Sequence, residues 1–375
     1  MRIAVNAIFL QKGRLEGYGH YVQELFSRIT RSHPDDSFLF VFDRPYSAEF
    51  LYAPNVKAMV VGPAARHPLA FFWWYQVKAP LAIRSFKPDV WIQPYGFAST
   101  TTGVPQILVV HDLAFLHYPQ FISLPQRWYY RFFTPGFLKK AKAIVAVSAF
   151  TRNDLVERYK IPVTKISVIG GAARKNFIPL PWLEKESVKE QYADGKEYFL
   201  FIGGIHPRKN LITLLKAFSL FKKWQHSNMK LLIAGRLAWQ FDDLLEKLKT
   251  YKYRNDVVML GYLSDEQLES ITASAYALVY PSWLEGFGLP LLEAMQSEIP
   301  VIASNAGSLP EIGGDAALYA SPSDPEALAK HMLSLYKDEN LRISRIEAGK
   351  SQAARFDWDD SAALFYQQIL AIAGK

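Results

Sequence analysis

The sequence predicts an α/β protein of two domains, each a parallel sheet covered by helices. Three observations lead there. A chain of 375 residues is longer than one hydrophobic core usually organises. Short β-branched and apolar runs alternate with amphipathic stretches of helix length almost throughout, the pattern of parallel strands joined by covering helices. The alternation stops once, in a proline-bearing stretch, and then restarts with the strand-like run Tyr198-Phe199-Leu200-Phe201-Ile202.

In chain order, strands of the first half are expected at 3–6, 38–42, 56–61, 90–93, 107–110, 144–147 and 166–169. The break is Asn176-Phe177-Ile178-Pro179-Leu180-Pro181-Trp182, whose two prolines resist helix and central strand alike. It is read as the linker between a first domain, 1–177, and a second, 178–357. Strands of the second half are expected at 198–202, 230–233, 257–260, 277–280 and 300–303. A helical pattern at 333–354 leads to Phe356-Asp357-Trp358. A last amphipathic helix, 358–375, is then expected to pack back on the first domain.

Composition narrows the classes of function. Hydrophobic residues make up 50% of the chain, yet no window is apolar enough to span a bilayer, so a soluble enzyme-sized protein is expected. Residues 1–5 read as an opening strand with no cleavable apolar leader, which argues against export. The absence of cysteine excludes disulfides, thiolate metal sites and cysteine nucleophiles, and agrees with a reducing, cytoplasmic location. Lys and Arg number 43 against 35 Asp and Glu, and the net charge of +8 attracts anions without naming one. No long basic run, zinc-finger spacing or aromatic RNA-binding motif favours nucleic acid.

The richest segment chemically is Pro281-Ser282-Trp283-Leu284-Glu285-Gly286-Phe287-Gly288-Leu289-Pro290-Leu291-Leu292-Glu293-Ala294-Met295, which reads as strand end, glycine loop and helix. Pro290 suits a first helical turn, so the amides of Gly288, Leu289 and Leu291 are expected to face an anion such as a diphosphate. Glu285 precedes the helix and Glu293 lies about one turn inside it, so the carboxylates fall on either side of the loop. One can then serve a hexose and the other a ribose. A second segment, Gly203-Gly204-Ile205-His206-Pro207-Arg208-Lys209-Asn210, leads from a strand into another helix. Arginine's fork and lysine's compact charge would together stabilise a leaving diphosphate. Gly13-Arg14-Leu15-Glu16-Gly17-Tyr18-Gly19-His20-Tyr21 follows the first strand, where glycine permits close backbone approach. His111-Asp112 closes the strand at 107–110, at the end where open α/β sheets place ligands. Taken singly, each also reads as structure: a solvated turn, a basic helix start, a buried histidine.

Together they resemble family 4 of the retaining GT-B glycosyltransferases. Glu285 and Glu293 match its E-x7-E signature within the string EGFGLPLLEAM, and Lys209, the Gly17-Tyr18-Gly19 loop and His111-Asp112 match its other motifs. The likeness runs from that first glycine loop to Phe356 and Trp358. It implies a GT-B fold, two Rossmann-like domains facing across a cleft, with the nucleotide sugar on the second and the acceptor on the first. It further implies transfer of a hexose from a nucleoside-diphosphate sugar to a glycan or lipid-linked saccharide, with retention of configuration and without metal or other cofactor. By the same resemblance Glu285 binds donor-sugar hydroxyls, Glu293 the ribose, Lys209 with Arg208 the departing diphosphate, and His111 the transferred sugar. Gly17, Gly19, Gly204, Phe287, Gly288 and Leu289 line the phosphates, and the backbone of Tyr262 and Leu263 meets the nucleobase.

Some positions depart from the family or read more plainly. Gly204 stands where relatives commonly carry an arginine, which Arg208 would replace. Gly170-Gly171-Ala172-Ala173-Arg174 stands where relatives often have Pro-Asn-Gly-Val-Asp. Ser148, Thr151 and Arg152 match a family turn and equally a helix N-cap. Ser264 to Gln267 also reads as a capping box. The 304–311 stretch matches the family's GSLPE turn, with Glu311 structural. Asp357-Trp358-Asp359 reads as a helix cap before it reads as a metal-binding D-x-D. The aromatic segment from His67 to Pro80 is core by default, with an acceptor groove or a peripheral lipid contact at the inner membrane face as alternatives. The strings PRKN and EGFGLP point to GDP-mannose, with UDP- and dTDP-sugars open. A nucleotide-sugar epimerase of this fold and a non-catalytic sugar-nucleotide-binding scaffold are the rival readings. The sequence does not indicate an oligomeric state.

Overall fold

The computed structural model of the chain describes residues 1–13, 15, 17–65, 68–237 and 242–374. The chain divides into two compact units, Met1–Gly171 with Asp357–Lys375, and Ala172–Phe356.

The first unit is built on a seven-stranded sheet of β1 (Arg2–Asn6), β2 (Ser37–Phe42), β3 (Val56–Val60), β4 (Val90–Gln93), β5 (Gln106–Val110), β6 (Ala143–Ala146) and β7 (Ile166–Val168). Its order is β3-β2-β1-β4-β5-β6-β7 and every pairing is parallel. β4, β5 and β6 are buried at every position, as strands covered on both faces must be. The second unit carries β8 (Tyr198–Ile202), β9 (Lys230–Ala234), β10 (Val257–Gly261), β11 (Ala277–Tyr280), β12 (Val301–Ser304) and β13 (Leu318–Ala320). These form a six-stranded parallel sheet in the order β10-β9-β8-β11-β12-β13. The sequence reading missed β13, a three-residue edge strand whose Leu-Tyr-Ala carries no β-branched residue, unlike every other strand.

The longer helices among the described residues include α1 (Gly17–Ser32), α2 (Leu124–Lys140), α3 (Ala149–Tyr159), α4 (Leu211–Gln225), α5 (Asp265–Ala273), α6 (Leu289–Gln296), α7 (Pro325–Lys337), α8 (Glu339–Ala353) and α9 (Trp358–Ala373). α1 buries Tyr21, Val22, Leu25, Phe26 and Ile29, the repeat of one apolar helical stripe. α9 lies against it, with the rings of Phe26 and Phe365 5.8 Å apart and Arg28 Nε 2.6 Å from Asp359 Oδ1. Asp357 caps α9 by accepting from the amides of Asp359 and Asp360, so the triplet 357–359 serves as a helix start.

The first crossing between units falls after Gly171, ahead of the expected 176–182 stretch. Phe177 is fully buried and Arg174 is bonded to Asp265 and Glu293, so the residues before the prolines are already fastened to the second unit. The return falls between Phe356 and Asp357. The aromatic segment is core in part: Trp74 and Tyr75 are fully buried, and Trp74 Nε1 donates to Val61 O at 2.7 Å, while Trp73 beside them is exposed. Its first residue, His67, lies outside the described residues. Among the described residues no helix is long and apolar enough to cross a membrane.

In each sheet the strand order reverses once, between β1 and β4 and between β8 and β11. Loops leaving the carboxyl ends of strands at such a reversal diverge and open a crevice, the place where open α/β sheets take ligands. The segments after β8 and β11 are those that carry Lys209 and Glu285.

Candidate active site

After β8 the backbone passes Gly203 at φ 147°, and Gly235 approaches so closely that a Cβ on it would sit 1.9 Å from Gly203 O. Only glycine satisfies both positions. A single 3-10 turn, Pro207–Lys209, then leads to Asn210 in the left-handed region, and α4 starts after it. The Asn210 side chain donates to Pro281 O at 2.9 Å and Pro322 O at 2.7 Å, tying this turn to the loop after β11. The basic pair thus sits in a pinned turn ahead of the helix.

That turn drives Lys209 inward. Its Nζ lies 2.8 Å from Glu285 Oε1 and donates to the Tyr280 hydroxyl. Arg208 Nη1 bonds Leu284 O and stands 3.5 Å from Glu285 Oε2. Two cations therefore hold one buried carboxylate. Burial works to raise the Glu285 pKa, but the charges of Lys209 and Arg208 overcome it and hold the carboxyl at about 2. Burial likewise works to lower Lys209, and Glu285 reverses it, leaving the ammonium favoured. His206 is pushed down to about 3 by burial and by Arg208 and Lys209, so it is neutral at pH 7.

The loop that follows is clamped from behind. Ser308 donates from its backbone to Glu285 O at 3.1 Å and from Oγ to Phe287 O at 2.7 Å. Gly307, at φ 64°, passes so near that a Cβ would lie 2.5 Å from Glu285 O. The GSLPE turn is therefore the support of the Glu285 loop. α6 begins at Leu289 with Gly288 as N-cap at φ 115° and no side-chain cap. The amide of Leu291, expected to face an anion, is instead bonded to Gly288 O at 3.0 Å, because Pro290 turns the chain into the helix at once. Among the described residues the amides of Gly288 and Leu289 find no acceptor.

Glu293, inside α6, is also buried but has a different cation: Arg174 Nε lies 2.7 Å from its Oε1. Arg174 Nη1 reaches Asp265 Oδ1 at 2.7 Å, at the start of α5. α5 itself is opened by the Ser264–Gln267 capping box. Before it, the Tyr262 side chain is 54% exposed, while Leu263 packs on the core of the unit.

In the first unit, Gly17 and Gly19 form the first turn of α1 rather than a loop, and a Cβ on Gly19 would lie 3.0 Å from Phe9 O. Arg14 and Glu16 of that segment lie outside the described residues. The ring of Tyr18 stands 4.5 Å from that of His111. His111 Nε2 is 2.9 Å from Pro94 O, and since a carbonyl only accepts, Nε2 carries the proton and Nδ1 is left as an acceptor. Burial lowers the His111 pKa to about 4, outweighing the hydrogen bond to Pro94, so the ring is neutral at pH 7. Ser148 caps α3, and Thr151 Oγ1 donates to His111 O at 3.0 Å, so this turn also braces the histidine strand end.

The structure thus gathers Lys209, Arg208 and Glu285, and separately Gly19, Tyr18 and His111, each group within one unit. Sequence reasoning missed Tyr280, Asn210, Ser308 and Arg174 as parts of the site. Tyr280 was signalled only by ending a strand just before Pro281, and Arg174 only by lying in the segment that departs from the family. Among the described residues no three His, Asp or Glu side chains gather as a metal site.

Known proteins match the chain in sequence and in fold. The family description "Glycosyl transferases group 1" matches residues 184–352, and "Glycosyltransferase Family 4" matches residues 16–172. The O-antigen chain mannosyltransferase B of Escherichia coli is 33% identical over 255 residues, 68% of this chain and 67% of its own. The O-antigen chain mannosyltransferase RfbU of Salmonella typhimurium is 30% identical over 256 residues, 68% of this chain and 66% of its own. The chain thus spans about two thirds of the length of these relatives. The crystal structure of Anabaena HepE with UDP-glucose matches with a TM-score of 0.78 at 15% identity, over 99% of this chain and 100% of its own. That likeness identifies the fold as GT-B. With both halves matched by glycosyltransferase descriptions and a relative at one-third identity, the chain belongs to glycosyltransferase family 4.

Proposed function

We propose that this glycosyltransferase moves mannose from GDP-mannose to a hydroxyl of a glycan or lipid-linked saccharide, with retention of configuration and without a metal ion. The observation that carries the reading is the cluster of Lys209, Arg208 and Glu285 beside the uncapped start of α6, at the strand reversal of the second unit. A diphosphate seated at the amides of Gly288 and Leu289 meets the positive end of a helix and two nearby cations. As the bond between the anomeric carbon and the diphosphate breaks, its electrons stay on a phosphate oxygen, and Lys209 and Arg208 stabilise that charge. The acceptor oxygen bonds the anomeric carbon, and its proton passes to the departing diphosphate. Glu285 orients sugar hydroxyls, and Glu293 takes the ribose. The named mannosyltransferase relatives support mannose. The HepE complex with UDP-glucose keeps uridine as the competing base.

The test is incubation with radiolabelled GDP-mannose, UDP-glucose and dTDP-glucose, with and without cell-envelope acceptors, beside thermal-shift measurements with GDP, UDP and dTDP. Acceptor-dependent label in product from GDP-mannose supports the reading. Label retained in an altered free sugar nucleotide would make the protein an epimerase, and binding without product a scaffold.

We propose further that α2 makes a peripheral membrane contact on the acceptor side. Leu124, Trp128 and Phe132 are 64%, 59% and 66% exposed and four residues apart, on one helical face. α2 contains no Asp or Glu and carries Arg127, Arg131, Lys139 and Lys140, which suits an anionic lipid surface. Trp128→Ser with Phe132→Ser should abolish sedimentation with phosphatidylglycerol vesicles. Equal sedimentation of wild type with neutral phosphatidylcholine vesicles, or none with either, would remove the contact.

A further inference from the structure

Arg174 links the two elements that the proposed function assigns to the nucleoside. Its Nε bonds Glu293 Oε1 and its Nη1 bonds Asp265 Oδ1, each at 2.7 Å. The guanidinium lies 4.6 Å over the ring of Phe177, which is fully buried. Its carbonyl accepts from Gln296 Nε2 at 2.9 Å, so backbone and side chain are both fixed against α6. Among the described residues Glu293 Oε2 and Arg174 Nη2 take no bond. An acceptor and a donor are therefore left over at the same ion pair. Adjacent hydroxyls, which both give and accept hydrogen bonds, can use such a pair.

Asp265 opens α5, directly after the loop that contains Tyr262 and Leu263. One side chain thus spans from the carboxylate on α6 to the end of the loop on the base side. A planar fork can hold two carboxylates at fixed angles, which a lysine cannot.

We propose that Arg174 is a positioning residue of the nucleoside subsite, aiming the Glu293 carboxylate at the vicinal hydroxyls of the ribose and holding the base-side loop in register with it. This rests on the reading of the second unit as the nucleotide-sugar domain. The ligand class is a ribonucleoside diphosphate, and the selectivity at stake is for the ribose diol over a deoxyribose.

The experiment couples a change in the protein to a change in the ligand. Calorimetric affinities are measured for GDP and UDP, and then for the 2′,3′-dideoxy analogue of whichever binds wild type more tightly. Wild type should prefer the ribonucleotide by about tenfold or more, as expected for hydrogen bonds to a charged group. In Arg174→Met the preference should shrink to about twofold or less, with affinity for the dideoxy analogue nearly unchanged. Arg174→Lys should fall between, and Glu293→Gln should resemble Arg174→Met. Asp265→Asn, whose side chain is largely exposed, breaks only one of the two links and guards against misfolding. It should lower the preference partially. An equal loss of both affinities in Arg174→Met, or an unchanged preference in Arg174→Met and Asp265→Asn, overturns the proposal and leaves the proposed function standing. A wild type that binds neither GDP nor UDP removes the subsite itself, and the proposed function with it.

Discussion

Replacing Lys209 by Met tests whether the buried cluster is an electrostatic unit. The substitution keeps the apolar stem and removes the charge that lies 2.8 Å from Glu285 Oε1. Glu285 is then left with Arg208 alone, 3.5 Å from its other oxygen. Breaking a buried pair costs about 3–5 kcal/mol, and the remaining arginine places this case near about 3 kcal/mol. For a unit of this size that is a fall of about 6–12 °C in its melting transition, read by scanning calorimetry without nucleotide. Adding Glu285→Gln removes the stranded charge and should recover most of the loss, while transfer stays about 10²–10³-fold below wild type in both variants. The acid arm gives an independent reading. The Glu285 carboxyl is held at about 2 against an ordinary 4.5, so it contributes stability above pH 4.5 that is lost as pH falls toward 2. The contribution is about 3 kcal/mol, and Lys209→Met should flatten the slope in that window. A single variant that melts within about 1 °C of wild type, or a double variant no more stable than the single, refutes the reasoning.

Further outcomes follow from the same contacts. Gly307→Ala should cost about 2–5 kcal/mol and abolish transfer, because its Cβ meets backbone atoms of Glu285 at 2.5 and 2.9 Å. Gly261→Ala, also at positive φ but with nothing within 4 Å, should cost only about 1–2 kcal/mol, and equal losses in the two would show that the close approach does not matter. His111 should show no imidazole titration by NMR between pH 5.5 and 8, because burial depresses its pKa to about 4. Its contribution to stability is present above the ordinary 6.5 and falls away as pH drops toward 4, and a titration near 6.5 would contradict its burial. Phe365→Ala, fully buried on α9, should cost about 3–5 kcal/mol and expose the first unit to limited proteolysis before the second. Equal loss of both units would mean that they do not unfold separately.

The two-domain α/β fold, the order of the strands along the chain and the family motifs were legible because each is a local property. A buried parallel strand needs a short apolar run, and Glu285, the glycine loop and Glu293 stand within a dozen positions of one another. The caps formed by Ser148 and Asp357 were readable for the same reason, since a cap bonds its own neighbours. Leu291 was misread because a proline-led helix start leaves several amides alike in sequence, and only the backbone path shows which one is already bonded. The aromatic segment at 67–80 and the exposed face of α2 have similar composition. Their difference in burial comes from what packs against them, not from their own residues.

By itself, then, the sequence determined the periodicity, the glycine positions and the acidic pair, all settled within one turn or one strand. Tertiary structure alone decided how those acids are held: Lys209 reaches Tyr280 across 71 positions and Arg174 reaches Glu293 across 119. The first pair meets only because parallel crossovers bring the ends of β8 and β11 to one edge of a sheet, and the second because the segment entering the unit packs on α6. No local pattern encodes that meeting, so a carboxylate visible in the sequence gains its charge state and its aim only in the folded chain.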